Sequence, residues 1–214
     1  MGNEEGLPER QEENAISNDP QTESGKTKSF AASNEIKLII VGNVGSGKTT
    51  SINVISEIPV IGSEAVASER DALHRKETTT VAMEYGILHL QKTKLHIYGT
   101  PGQRRFDFMA SILSKGAAGM IVMIDNGCDS PMGELDYFLN LHNDFLQENP
   151  ALIAITHCDD IRTTTNMIDY HTYAMEHGFS IPVMRVDARE EKQVKNAILK
   201  LLIAVIRKKS EDNK

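Results

Sequence analysis

Gly42-Asn43-Val44-Gly45-Ser46-Gly47-Lys48-Thr49 matches the pattern G-x-x-x-x-G-K-[ST] and stands between two segments of different character. Before it, Ile36-Lys37-Leu38-Ile39-Ile40-Val41 is short, apolar and β-branched, as expected of a strand buried in a parallel sheet. After it, the residues from Thr49 onward suit a helix. The glycines let the backbone turn sharply, and successive N–H groups from Gly45 to Thr49 can wrap phosphate oxygens where unpaired donors and the helix dipole favour negative charge. In such a loop Lys48 reaches the β- and γ-phosphates, and Thr49 offers its hydroxyl to Mg²⁺. A chance match in a Gly/Ser-rich turn is the alternative, and the strand, loop and helix in the required order argue against it.

With 214 residues, the chain is long enough for one α/β domain and too short for two comfortable ones. Hydrophobic residues make up 40% and charged residues 25%, and no apolar run approaches the roughly 20 residues a bilayer crossing needs. The expected setting is the cytosol, since the first residues are polar and acidic rather than basic then apolar. Cys128 and Cys158 lack metal or redox spacing, and Cys158, at the end of a predicted strand, reads as a small buried hydrophobe. A formal net charge of −7 speaks against a nucleic-acid partner. Residues 1–34 hold seven acids, three bases and almost no large apolar side chains, the composition of a disordered acidic arm. Met1-Gly2 opens like a myristoylation signal, but Gly6 stands where Ser or Thr is wanted, so a solvated arm is expected. Residues 209–214 form a charged tail without a prenylation box, which leaves 35–208 as the folded domain.

Within that domain the helix after the loop is expected to run from Thr49 to about Ile58, where Pro59 stops it. A polar stretch follows as far as Thr80, longer than most α/β connections and therefore read as a functional loop. Val81-Ala82-Met83-Glu84-Tyr85-Gly86-Ile87-Leu88 reads as a strand, Gln91-Lys92-Thr93-Lys94 as a turn and Leu95-His96-Ile97-Tyr98 as a second strand. So short a connection makes them an antiparallel hairpin in an otherwise parallel sheet. Further strands are expected at 119–124, 152–156 and 182–186, separated by helical segments. The last helix carries Val194, Ile198, Leu201, Leu202 and Val205 on one stripe, read as core rather than as a partner face. The sum is an α/β mononucleotide-binding sandwich of about six strands, one antiparallel, flanked by about five helices.

At the end of the Leu95 strand stands Gly99-Thr100-Pro101-Gly102-Gln103. Here the chain resembles the small Ras-like GTPases, whose corresponding segment reads D-T-A-G-Q, and the resemblance extends from about Glu35 to Arg207. It implies a P-loop domain that binds GTP and GDP with Mg²⁺, with the Gly102 N–H on the γ-phosphate and Gln103 orienting the attacking water. Thr80 falls where that family's first switch offers a threonine to the metal, with Thr78 and Thr79 as alternatives. Thr156-His157-Cys158-Asp159 stands in place of N-K-x-D. There Asp159 would accept two hydrogen bonds from guanine, which adenine cannot donate, and His157 either stacks on the base or caps the strand. Asp187-Ala188-Arg189 stands where the family has S-A-K, with the Ala188 N–H turned to the guanine carbonyl. The nucleotide contacts implied are thus the loop from Gly42 through Asn43, Val44, Gly45, Ser46, Gly47, Lys48 and Thr49, with Thr50, then Gly102, Thr156, His157, Asp159, Asp187, Ala188 and Arg189. Metal contacts fall to Thr49 and Thr80, and the catalytic groups are Gln103 and Lys48.

Two positions depart from that pattern. Gly99 replaces the aspartate that holds Mg²⁺ through water, which bears on metal affinity because an outer carboxylate orients a metal's ligands. Val44 replaces a glycine at the third loop position, which implies slow turnover. The T-P-G-Q form, with Thr79-Thr80-Val81-Ala82-Met83-Glu84-Tyr85-Gly86, is similar to a bacterial branch of small GTPases that includes motility-polarity proteins and relatives encoded beside Roadblock-domain regulators. The implied function is a bacterial GTP switch with a Roadblock-type regulator. Arg104, Arg105 and Arg75 are candidates for a catalytic arginine, or else solvated side chains. Two alternatives stand beside this reading: a nucleotide-binding scaffold that does not hydrolyse, and a P-loop ATPase or kinase of another class.

Overall fold

The computed structural model describes residues 34–62, 83–159 and 165–212. β1 (Asn34–Val41) is apolar on both faces because both are covered: Leu38 and Ile40 join one buried cluster, Ile39 and Val41 the other. α1 (Lys48–Ile55) and α6 (Glu191–Asp212) pack on the first face. α2 (Asp107–Ser114), α3 (Pro131–Leu141), α4 (Asn143–Glu148) and α5 (Met167–Glu176) pack on the second. The α6 stripe read as core is core, with Val194, Ile198, Leu201, Leu202 and Val205 all buried.

The strands are β1, β2 (Ile61–Gly62), β3 (Glu84–Leu90), β4 (Thr93–Gly99), β5 (Gly119–Asp125), β6 (Ala151–Thr156) and β7 (Val183–Arg185). They form a seven-stranded sheet in the order β2-β3-β4-β1-β5-β6-β7. β1 pairs in parallel with both β4 and β5, β5 with β6, and β6 with β7, while β3 runs antiparallel to its neighbours β2 and β4. This is the expected α/β sandwich with one antiparallel strand. Because the chain order reverses at β1, the carboxyl edge there is the crevice where open α/β sheets take ligands. Being antiparallel, β3 brings its first residue, not its last, to that edge: Glu84 lies opposite Gly99.

Several local expectations are corrected. The hairpin turn is Gln91-Lys92 alone, with Gln91 in the left-handed region at φ 55° and β4 already under way at Thr93. β2 was not expected; its two residues pair with Tyr85 and Glu84, too short a run to show any alternation. α1 ends at Ile55 rather than near Ile58, because Ser56 leaves the helix at ψ 131° and its hydroxyl accepts the N–H groups of Ile58 and Ile87. Six α-helices are present among the described residues rather than five, the α3–α4 boundary falling at His142. The charged residues from 209 continue α6 as far as Asp212. The acidic arm up to residue 33, Thr78, Thr79, Thr80, Arg75 and the strand start at Val81 and Ala82 lie outside the described residues. No described helix is long and apolar enough to cross a membrane.

Ile198 is 0% exposed at the centre of the face that α6 shares with β1, β5 and β6. Ile198→Ala should lower unfolding free energy by about 2–5 kcal/mol, read by urea denaturation with an unchanged denaturant slope.

Candidate phosphate and base site

The loop from Gly42 to Gly47 leaves the end of β1, curls, and delivers the chain into α1. Gly47 is the turning residue: it holds φ 93°, and a Cβ there would meet the Ala188 methyl at 2.7 Å. Its carbonyl accepts the Ser51 N–H at 2.8 Å, while no side chain caps the helix, so the first-turn N–H groups are left for an anion. Lys48 folds back beneath the loop. Its ammonium donates to the carbonyls of Gly42 at 2.8 Å and Asn43 at 2.7 Å. Burial pushes its pKa down to about 8, with the carboxylates of Glu84 and Glu134 opposing that shift.

The T-P-G-Q segment lies directly against this loop. The Val44 N–H donates to the Gly102 carbonyl at 3.2 Å. A Cβ on Gly102 would fall 2.4 Å from the Val44 nitrogen and 2.9 Å from Lys48 Nζ, so only glycine fits. Gln103 and Arg105 line the same cavity, of about 340 Å³, as Lys48, Thr49 and Gly102. Arg104 turns away, its guanidinium stacked 4.2 Å from the Tyr137 ring.

On the other side of Gly47, a cavity of about 540 Å³ is lined by Thr156, His157, Asp159, Asp187, Ala188 and Arg189, all of them singled out in the sequence. Gly45, Gly47 and Thr50 border both cavities, which therefore form one trough along the carboxyl edge of the sheet. Thr156 is 1% exposed, and its hydroxyl lies 3.1 Å from the Ser46 carbonyl and 3.2 Å from that of Ile124. It thus ties the loop to two strand ends. His157 has φ 52° and places Nδ1 3.0 Å from Asp125 Oδ1, the arrangement of a strand cap. Arg189 grips Asp187 through Nε and one Nη, at 2.9 and 2.7 Å, and holds its carboxyl down to about 2. Sequence reasoning passed over Arg185 and Gln193 in this cavity, and Cys158, expected as a small buried hydrophobe, is half-buried, packed against the core and lining the cavity as well.

It also passed over Glu84. The Thr49 hydroxyl donates to Glu84 Oε1, and Glu84 Oε2 is buried without a hydrogen-bond partner. A Cβ at Gly99 would lie 2.7 Å from Oε2 and 2.8 Å from Ile52 Cδ1. The signal that finds Glu84 is the hairpin register, which sets it opposite Gly99. The Thr49 hydroxyl oxygen and the unpartnered Glu84 Oε2 are oxygen ligands that would suit a hard divalent cation, and the loop N–H groups beside them suit an anion.

A P-loop, a seven-stranded sheet reversing at β1 and a base-sized cavity beside the loop define a nucleotide-binding P-loop protein of Ras-like architecture. Residues 40–206 match the family described as conserved hypothetical ATP binding proteins, and the chain belongs to it. An uncharacterized protein of Methanocaldococcus jannaschii is 33% identical over 92 residues, 42% of this chain and 51% of that protein, so the chain spans about half of that relative's length. Ras-related protein SEC4 of Saccharomyces cerevisiae is 23% identical over 89% of this chain and 83% of its own. Ras-related protein RABD2a of Arabidopsis thaliana is 22% identical over 79% of each. The chain is thus a distant relative of the Ras and Rab small GTPases.

The Lys48 shift has a measurable sign. A lysine whose pKa is lowered on folding makes the protein more stable as pH rises from about 8 towards 10.5, because the unfolded chain keeps the proton longer. Phosphate favours the charged form, so nucleotide binding above about pH 8 must take up a proton. Nucleotide affinity should fall about tenfold from pH 7 to about pH 9, with matching proton uptake in calorimetry across buffers of different ionisation enthalpy. Lys48→Met should abolish both.

Proposed function

We propose that the protein is a GTP-binding switch with slow GTPase activity. The observation that carries this reading is the single trough in which the phosphate loop and the Asp159 cavity share Gly45, Gly47 and Thr50. A nucleotide laid along it has its phosphates on the N–H groups at the start of α1 and its base against Asp159 and Ala188. Asp159 selects guanine by accepting from its N1 and amino groups, and the Ala188 N–H meets the base carbonyl. Gly102, close over Lys48 Nζ, stands where a γ-phosphate arrives, and its N–H makes the contact that GDP cannot. Gln103 then orients the attacking water, and Lys48 and the loop amides stabilise charge on the phosphate oxygens. Loss of the γ-phosphate frees Gly102 and Gln103, and a partner protein reads that change. Mg²⁺ bound beside Thr49, and Thr80 on this reading, would neutralise charge between the β- and γ-phosphates. Exposed Val44 on the rim fits slow turnover. The cytosolic setting, the bacterial source and the Roadblock-type regulator belong to this proposal, supported by the composition and the T-P-G-Q segment.

One observation favours a second reading: the family's description names ATP. Competition between GTP and ATP for the purified protein decides between them. Asp159→Ala should weaken GTP and GDP binding roughly 10- to 100-fold, the worth of hydrogen bonds to a charged group, and leave ATP binding unchanged. Gln103→Ala should slow phosphate release without changing GTP affinity. A preference for ATP, untouched by Asp159→Ala, would overturn the guanine assignment, and binding without any phosphate release would leave a scaffold.

A further inference from the structure

We propose that Glu84 supplies the outer carboxylate of the metal site that Gly99 does not, an inference that rests on a metal–nucleotide complex forming on the phosphate loop. A carboxylate needed beside the loop threonine can come from either strand of the β3–β4 hairpin where the two meet the carboxyl edge. Gly99 ends β4 there and Glu84 begins β3 there, paired across the strands. Glycine at 99 is what admits the longer acid, since a Cβ on it would lie 2.7 Å from Glu84 Oε2 and 3.3 Å from Glu84 Cβ. The two residues exchange one function: the carboxyl group is lost from β4 and regained from β3.

The placement of the two oxygens fits that role. The Thr49 hydroxyl gives its hydrogen to Glu84 Oε1, which leaves the Thr49 oxygen lone pairs directed away from the carboxylate and free for a cation. Glu84 Oε2 is buried and makes no hydrogen bond, and a buried acceptor left without a partner is costly until a metal-bound water or the metal itself comes within reach. The same carboxylate lies close enough to Lys48 to oppose the effect of burial on the ammonium. Glu84 and the Thr49 hydroxyl would hold a divalent cation, whose charge would help neutralise the phosphates beside Lys48. Glu134 also has a buried Oε2 without a hydrogen-bond partner, but its other oxygen accepts from the Asn43 amide at 2.5 Å, whereas that of Glu84 accepts from the Thr49 hydroxyl.

The test is nucleotide release as a function of free Mg²⁺. Methylanthraniloyl-labelled GDP and ADP are both used, so that base preference does not enter, with Mn²⁺ binding by electron paramagnetic resonance as a direct readout. Glu84→Gln and Glu84→Ala should raise the Mg²⁺ concentration that half-slows release roughly 10- to 100-fold, and should leave release in excess chelator unchanged or slower, since a negative charge near the phosphates is gone. Gly99→Asp in the Glu84→Ala background should move the midpoint back toward wild type, whereas Gly99→Asp alone should lower the melting temperature. Circular dichroism of the near-isosteric Glu84→Gln controls for folding. A wild-type Mg²⁺ response that Glu84→Gln and Glu84→Ala leave in place overturns the inference alone and makes Glu84 a mere partner of Thr49. Wild-type release that ignores Mg²⁺ with both nucleotides overturns the inference together with the reading beneath it.

Discussion

A buried ammonium group has to be surrounded by oxygen, and Lys48 finds it in the carbonyls of Gly42 and Asn43. That requirement shapes everything next to it. The carbonyls can turn inward only if the loop curls back over its own lysine, and the curl then points the N–H groups of the following residues outward, toward the crevice. The curled backbone has to be braced from outside, because loop residues supply few contacts of their own. Ala188 braces it beneath Gly47, Thr156 at the Ser46 carbonyl and Gly102 at the Val44 N–H. These braces come from the ends of three different strands or the turns after them. The phosphate loop, the base cavity and the T-P-G-Q segment are therefore not three neighbouring sites but one packed unit, and a change at any brace is felt at the lysine.

Much of this was legible in the chain because the elements that matter are strongly patterned. An apolar β-branched run, a glycine-rich octet and a helix leave little choice for the phosphate side. The later strands, buried on both faces, announce themselves by continuous apolar residues such as Leu152-Ile153-Ala154-Ile155. The motif residues after them follow by position. What was less legible is local and short-range. The end of α1 depends on a Ser56 hydroxyl serving two N–H groups, an arrangement that arises only once β3 has come alongside. β2 has too few residues to carry a period. Glu84 read as an ordinary strand residue, since its meaning comes from register, and register is a property of two strands rather than one. His157 was open between the base and the strand end, and the contact of its ring with Asp125, distant in sequence, could not be read from the chain, while the same residue also lines the base cavity.

The sheet divides its labour along one edge. Strands to one side of β1 carry the residues set against the phosphate loop, and strands to the other side carry the base cavity. The parallel strands present their last residues there, and β3, by reversing, presents its first. Reversal thus gives the edge a residue from a stretch that would otherwise reach the opposite side of the molecule.

The pair formed by Gly99 and Glu84 bears on how such a chain can change over time. With glutamate in place at 84, a side chain at 99 meets the ends of both that carboxylate and Ile52, and one or both must shift to admit it. With a non-acidic residue at 84, glycine at 99 leaves this pair without an acid from either strand. An exchange of one arrangement for the other by single substitutions would pass through a chain carrying acids at both positions or at neither. Descendants on either bank should keep both positions together, so a family tree drawn on the two as a couple would branch more sharply than one drawn on either alone.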